Sequence, residues 1–295
     1  MEIKINGKAA DITLESEKTV VEVLAGIQQW LEGAGLYVSG LEIDGTNYDA
    51  GSLDSAFETA LENINSIDIK TSGWPELKRE ALNSLKQELE LYRSPVSAEE
   101  QKNHALNWFQ SASALFLKDH GPDIYEMASN TFGKNRIDTV HEPFSADIGI
   151  ALVAERIREI EEPFGEMNSL KPLTEEIAKA LEELPLDMQT GKDSRAAETI
   201  NLFSSLVEKI FRLIFLFKYY KTDIETIRVS SVNGTETVSL KDYITEFSTA
   251  LKELISAYEN KDTILVGDLA EYELAPRLRS LTSVLCGIKP EEKTE

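Results

Sequence analysis

Cysteine and histidine are scarce in this chain of 295 residues, which has one cysteine and three histidines. The single cysteine, Cys286, excludes an intrachain disulfide, favours a reducing compartment and is expected to pack in an apolar helix rather than react. None of His104, His120 and His141 occurs in the Glu-x-x-His pattern of di-iron bundles or the His-Glu-x-x-His pattern of zinc proteases. We therefore expect no metal and no cofactor.

Basic residues are also few, because 30 lysines and arginines against 52 aspartates and glutamates give a formal net charge of −22. Nucleic acids and anionic membrane surfaces bind clustered Lys and Arg, so the sequence predicts binding to neither. An acidic field attracts a basic protein partner or a cation. The simplest interpretation is that most of these acids lie on solvated helix faces.

Long apolar runs are absent as well. The most apolar stretch, FRLIFLFKYY at 211–220, is interrupted by Arg212 and Lys218 and is much shorter than the ~20 residues of a membrane span. The first residues, MEIKINGKAAD, lack the apolar segment of a secretory signal peptide. We therefore expect a cytoplasmic protein without a membrane partner.

Common catalytic motifs are missing too. The sequence contains neither the Gly-x-Ser-x-Gly turn of hydrolases nor the Gly-x-Gly-x-x-Gly loop of dinucleotide-binding proteins. TGKDS at 190–194 has no upstream glycine and no Ser or Thr directly after its lysine, so we interpret it as a linker and helix cap rather than a phosphate loop. These exclusions predict a non-enzymatic protein, although a catalytic site assembled from distant residues would leave no such motif.

Alternating polar and apolar residues predict two hairpins around a helix near the N-terminus. EIKI at 2–5 and DITLE at 11–15 flank Asn6-Gly7, and a second turn is expected at Asp44-Gly45, because both dipeptides tolerate positive φ. Between the hairpins, Thr19 is expected to cap a helix. One face of that helix carries the apolar residues Val20, Val23, Leu24, Ile27, Trp30 and Leu31.

A short helix and a last strand, SIDIKTS at 66–72, complete the series strand, strand, helix, strand, strand, short helix, strand. This element order resembles the ubiquitin-like β-grasp fold over residues 1–72. Some β-grasp proteins carry sulfur or are conjugated through a terminal Gly-Gly, whereas here a single Gly73 is followed by more chain. The resemblance therefore implies a docking module rather than a carrier.

The remainder, 75–290, is predicted to be a mainly α-helical bundle, with a subdivision near 165–172. Gly73-Trp74-Pro75 marks the boundary, since proline suits the first position of a helix. Within the bundle, 226–239 is either a hairpin around Asn233-Gly234 or an extended loop. The overall class is α+β, with a β-grasp-like domain followed by helices.

Two charges interrupt apolar helical stripes. Arg212 lies inside FRLIFLF, and Asp268 lies beside the stripe of Leu265, Leu269, Tyr272 and Pro276. Because a buried unpaired charge is costly, we hypothesise that Arg212 and Asp268 form a buried ion pair. The alternative is that Asp268 lies at an open end of the bundle and Arg212 bonds Glu208, one turn back.

The segment around Tyr272 is the candidate contact patch. Arg277 and Arg279 form a rare basic spot beside Tyr272, and Tyr and Arg are enriched at protein interfaces. With Asp268 and Glu271 they form a predicted interaction patch. The alternative is that the two arginines only neutralise neighbouring acids.

These observations lead to two function hypotheses. The first is a bacterial, non-enzymatic adaptor or assembly protein that binds a protein partner, which its acidity suggests is basic, and that is also able to self-associate. The second is a helical bundle that binds a small ligand or a cation through carboxylates near Asp268 and Glu271.

Overall fold

A computed structural model describes residues 1–12, 14, 16–49, 53–94, 97–132, 145–220, 223–230 and 237–289. The chain forms two compact units, Met1–Ile157 and Arg158–Glu295. Within the described residues, the first unit has a mixed sheet followed by helices, and the second is helical apart from one pair of short strands. This order of sheet and helices confirms the α+β class. The sequence-based domain limits, 1–72 and 75–290, stay predictions.

A five-stranded sheet is the first element of the first unit. Its strands are β1 (Glu2–Ile5), β2 (Lys8–Ala9), β3 (Leu36–Ile43), β4 (Thr46–Asp49) and β5 (Ser66–Gly73). They lie in the order β2-β1-β5-β3-β4, with β1 parallel to β5 and the other neighbours antiparallel. The register places Ile3 and Ile43 on either side of Ile67, so that buried side chains form a row across the sheet.

The two predicted turns have the expected backbone conformation. Asn6 and Gly7 have φ of 50° and 77°, and Asp44 and Gly45 have φ of 47° and 85°. Positive φ at both central residues is what a tight two-residue hairpin requires. The first hairpin is shorter than predicted, because the strand after Gly7 is β2 at Lys8–Ala9 rather than 11–15, of which 13 and 15 lie outside the described residues.

Helix α1 (Val20–Gly33) packs on the sheet, and its first turn has the capping box of Thr19 and Glu22. Trp30, which the sequence analysis placed in the apolar stripe, is 61% exposed, so that assignment is wrong. Trp30 lies at the edge of the stripe in the last turn of α1, and the sheet leaves it uncovered. The buried residues of the helix are Val20, Val23, Ile27 and Leu31.

Helices complete the first unit. Ser97 and Glu100 form a capping box at the start of the helix that begins at Ala98, where the Ser97 hydroxyl accepts from the Glu100 N–H at 3.2 Å. Trp108 is buried in an aromatic cluster with Phe109, Tyr125 and Phe132. After α2 (Leu53–Phe57), the helices are α3 (Trp74–Arg93), α4 (Ala98–Phe109), α5 (Ala112–His120), α6 (Pro122–Thr131) and α7 (Ala146–Glu161), within which the first unit ends.

The second unit is built on long amphipathic helices. Phe203, Phe217 and Phe247 are fully buried in its core. The helices are α8 (Pro163–Ser169), α9 (Lys171–Gln189), α10 (Asp193–Phe217), α11 (Leu240–Glu259), α12 (Thr263–Asp268) and α13 (Ala275–Leu285). Two antiparallel strands, β6 (Arg228–Ser230) and β7 (Thr237–Ser239), confirm strand pairing in 226–239, whereas Asn233-Gly234 lies outside the described residues.

Candidate interaction surface

Metal binding has no geometric support in the described part of the chain. There, no group of three or more His, Cys, Asp or Glu side chains is arranged to hold an ion. His104 Nδ1 lies 3.3 Å from a carboxylate oxygen of Glu88, whose pKa is raised because the carboxyl is partly buried. His141 lies outside the described residues. Nothing in this geometry favours a cation site at Asp268 and Glu271.

Arg212 does not meet Asp268, so the predicted buried ion pair is wrong. The Arg212 guanidinium donates through Nε and Nη2 to the two carboxylate oxygens of Glu159, each at 3.0 Å. Glu159 is 2% exposed, whereas Asp268 is exposed on the surface. The alternative partner, Glu208, is exposed as well. The charge within the apolar stripe of α10 does have an acidic partner, but that partner comes from α7.

A network of charges surrounds this pair. Lys209 Nζ lies 2.8 Å from Glu166 and 4.0 Å from Glu159, and Arg158 Nε lies 3.4 Å from Glu166. Three helices, α7, α8 and α10, are therefore joined by alternating charges. An acid near Arg212 was expected because a buried unpaired charge is costly, but nothing in the sequence distinguishes Glu159 from the neighbouring glutamates of α7.

The helical run after Asp262 contains a π segment (Leu269–Leu274) between α12 and α13 that the sequence analysis missed. In a π turn each N–H bonds the carbonyl five residues back, so the turn holds one extra residue. Pro276 lies two residues beyond the end of this segment, and in an α-helix its ring would clash with the carbonyl of Tyr272. The wider turn therefore accommodates this proline.

This extra residue shifts the buried face of the run. Leu269 is buried as predicted, but Leu265 and Tyr272 are 43% and 61% exposed, so the predicted apolar stripe does not face the core. The residues of this run that face the core are Val266, Leu269, Ala270, Leu274 and Leu278. For Tyr272, the error comes from applying a period of 3.6 residues across the π turn, whereas Leu265 precedes that turn and is exposed within α12 itself.

The opposite side of this run is a surface that we call the α12 face. It is formed by the exposed residues Ile264, Leu265, Asp268 and Tyr272 and by Glu271, which is half-buried. Ile264 is 74% exposed, more than any other large hydrophobic residue that the structure describes. Two further exposed residues, Ile255 and Tyr258, lie in the last turns of α11, just before α12. Large apolar side chains that cluster on a surface are typical of interaction sites.

Acidic residues accompany the apolar ones. The segment 259–273 has five carboxylates and one lysine. One of the acids, Asp262, caps α12 by accepting from the Leu265 N–H at 3.0 Å. A hydrogen bond to the Glu271 carboxylate, together with the charges of Glu271 and Asp268, raises the pKa of the Tyr272 phenol. The phenol therefore holds its proton more firmly than an ordinary tyrosine does, and that proton is shared with Glu271.

The two arginines of the predicted patch are held within the second unit. Arg277 donates to Glu273 at 2.8 Å and to Glu246 of α11 at 3.1 Å. Arg279 donates to Glu175 at 2.9 Å and also to Glu182, both on α9. These bonds tie α13 to α9 and α11, so we leave the arginines out of the α12 face.

Cys286 is buried, and its thiol donates to the carbonyl of Met167 at 3.3 Å. Burial raises the pKa of this thiol. A buried neutral thiol is a poor nucleophile, which fits the expected packing role.

Two families have models that match parts of the chain. Residues 1–73 match the family described as the TP0873 N-terminal domain, and this match ends where β5 ends. Residues 165–284 match a domain of unknown function, DUF8042, and this match includes the α12 face.

One curated relative is a Treponema pallidum (strain Nichols) protein named "Uncharacterized protein". It is 33% identical over 103 residues, which are 35% of this chain and 48% of the relative. The chain therefore spans about half the length of this relative. No solved structure matches the chain significantly. Within the described residues, none of the helices has both the length and the apolar character that crossing a membrane requires.

Proposed function

We propose that this protein is a cytoplasmic, non-enzymatic adaptor that binds a protein partner through the α12 face. The observation that carries the proposal is the exposure of Ile264, Leu265 and Tyr272 beside Asp268 and Glu271. Exposed apolar residues cost solubility, and proteins keep them in clusters mainly where something binds. The lone buried thiol of Cys286 and the absence of disulfides support the reducing compartment.

We further propose that residues 1–73 form a β-grasp domain that acts as a docking module. Support comes from the strand order β2-β1-β5-β3-β4, with β1 and β5 parallel at the centre and α1 packed on one face. A fold by itself does not define a function. The docking role therefore depends on surfaces of this domain rather than on its topology.

The chemistry of the α12 face favours a basic, amphipathic partner. Its apolar residues would fit an apolar stripe, and Tyr272 offers both a ring and a hydroxyl to such a contact. Asp268 and Glu271 would pair with Lys or Arg of the partner, and complementary charge speeds association and rejects acidic competitors. An acidic chain of net charge −22 would attract the same class of partner over a distance.

Affinity purification of the tagged full chain from a native lysate tests this proposal. The test variant replaces Ile264, Leu265 and Tyr272 by serine, and Leu202→Ser on α10, at a leucine that is 51% exposed, is the matched control. We expect a basic protein to be recovered with the wild type and the control but lost with the test variant. Circular dichroism confirms that each variant is folded.

Two results would contradict the proposal. One is recovery of the same proteins, in the same amounts, by the α12-face variant. The other is recovery of no stable partner by the wild type, together with a monomeric mass in light scattering, which would exclude self-association as well.

A further inference from the structure

The α12 face is a ridge of exposed apolar side chains with an acid near its middle. Ile264 and Tyr272 lie four residues before and after Asp268, which is about one helical turn on either side. Ile264 and Tyr272 are 74% and 61% exposed, and Leu265 beside them is 43% exposed. A partner that covers this ridge over about two turns would therefore also cover the Asp268 carboxylate.

Asp268 differs from the other acids of the run because its carboxylate has no partner. Asp262 caps α12, Glu271 interacts with the neighbouring phenol, and Glu273 accepts from an arginine. None of the residues that the structure describes forms a hydrogen bond or an ion pair with the Asp268 carboxylate. This exposed carboxylate is thus available to a cation from another molecule, and its place in an apolar ridge would bring that cation into the contact.

The face offers a partner side chains but few backbone groups. From Thr263 to Leu285 the chain is continuously helical, and beyond the first turn its N–H and C=O groups bond one another within the helix. An extended peptide gains affinity chiefly from main-chain hydrogen bonds to a sheet edge, which a helix surface does not supply. A helical partner satisfies its own backbone and needs side-chain contacts alone, so the α12 face favours a helix.

We propose that the partner segment is an amphipathic helix whose apolar stripe is interrupted by one lysine or arginine, and that this base pairs with Asp268. Apolar residues about one turn before and after the base would pack against Ile264, Leu265 and Tyr272, as ridges of one helix fill grooves of another. The rest of the partner helix would be basic, because this chain has a net charge of −22. This inference rests on the proposed adaptor function and names the partner of the same surface.

In such a contact Asp268 would determine specificity more than affinity. A single charged pair inside an apolar contact disfavours every alignment that leaves either charge against apolar side chains. It also rejects helices whose stripe is wholly apolar or carries an acid at this point. Asp268 would thereby fix the register of the partner helix on the α12 face.

Synthetic peptides of about eighteen residues supply the probe, since shorter isolated helices are marginal in water. The helical peptide has leucines at the spacing of one helical face, one lysine in the middle of that stripe, and alanine, glutamine and lysine elsewhere. A second peptide of the same composition has its leucines at alternate positions, which is the period of a strand. Fluorescence anisotropy with the full chain should show at least about tenfold tighter binding of the helical peptide.

A charge swap tests the pairing with Asp268. Asp268→Lys with the original peptide, and the wild type with a peptide that has glutamate in place of the stripe lysine, should each bind about tenfold more weakly. The two changes together should restore the affinity to within about threefold. Glu198→Lys, at an exposed position on α10, is the matched control and should stay within about twofold of the wild type. Circular dichroism confirms that each variant is folded.

Several results would overturn the inference. They are the absence of binding by the helical peptide up to about 1 mM, equal binding by the alternating peptide, and a charge swap that restores nothing. A dimer of the full chain that Asp268→Lys dissociates would assign the face to a second copy of this chain instead. Affinity purification from a lysate does not depend on these peptides, so a partner recovered through the α12 face would uphold the adaptor proposal even where the helical peptide fails.

Discussion

Removal of Arg212 should be among the most destabilising single changes in the second unit. Glu159 is 2% exposed, and each of its two carboxylate oxygens accepts a hydrogen bond from the Arg212 guanidinium at 3.0 Å. Breaking a buried ion pair by deleting one partner costs about 3–5 kcal/mol. We expect Arg212→Ala to cost about 3 kcal/mol, the low end of that range. We choose the low end because the Arg212 side chain is 27% exposed, and because Lys209 Nζ still lies 4.0 Å from the Glu159 carboxylate after Arg212 is removed.

The reverse deletion should cost less. Glu159→Gln leaves Arg212 charged, but its guanidinium is partly exposed and retains access to water, so we expect a loss of about 2 kcal/mol. Replacing both residues by apolar ones, as Arg212→Met with Glu159→Leu, should restore stability to within about 1 kcal/mol of the wild type. Glu208→Gln is the matched control, and this exposed position should change stability by less than about 0.5 kcal/mol.

Urea unfolding followed by circular dichroism measures these free energies. The two units are compact in their own right, so the transition of the second unit has to be separated from that of the first before the values are compared. Losses below about 1 kcal/mol for Arg212→Ala would refute the reasoning, because they would mean that Glu159 finds solvent or another partner. A larger effect of Glu208→Gln than of Glu159→Gln would refute it as well.

Two further predictions concern the contacts of α9. Gly267→Ala should destabilise the second unit by about 1 kcal/mol, because a Cβ there would lie 3.0 Å from Cβ of Pro185. The control is Gly26→Ala, where an added Cβ meets nothing within 4 Å, and it should stabilise the first unit by up to about 1 kcal/mol. Thermal melts in which both variants shift the melting temperature in the same direction would contradict this. Arg279 lowers the pKa of Glu182. The stability that this ion pair adds is therefore present above about pH 4.3, the ordinary pKa of a glutamate, and is lost as the pH falls through the lowered pKa. Arg279→Met should therefore be less stable than the wild type at neutral pH, and the difference in urea midpoint should shrink towards pH 3; a constant difference would show that only packing was lost.

The parts of the fold that sequence analysis could predict depend on local chemistry. Asn6-Gly7 and Asp44-Gly45 form the predicted turns because few dipeptides tolerate two successive positive φ angles. The Ser97 capping box was predictable for a similar reason, since it depends on two residues three positions apart. Such signals need no knowledge of distant parts of the chain.

The errors arose where a non-local choice or an irregular turn decides the structure. Arg212 required a carboxylate, but spacing along the chain cannot choose between Glu208 on its own helix and Glu159, 53 positions away. The π segment changes the periodicity by one residue, and only Pro276 hinted at an irregularity there. The exposed position of Tyr272 follows from that shift, so the predicted patch contained the right tyrosine but the wrong helix face.

The sequence indicated the α12 face only in part. Tyr272, Asp268 and Glu271 were candidates because of their residue types. The most exposed residue of the face, Ile264, was not a candidate, because its exposure depends on which side of the helical run the core covers.

Hydroxyl-radical footprinting of the full chain, compared between plain buffer and native cell extract, tests the adaptor proposal most directly. The labelling of Ile264, Leu265 and Tyr272 is predicted to fall in the extract relative to Leu202, a comparably exposed residue on α10 that serves as the internal reference. If the labelling of these three residues relative to Leu202 is the same in buffer and in extract, nothing in the extract covers the α12 face. That result would contradict the proposed function.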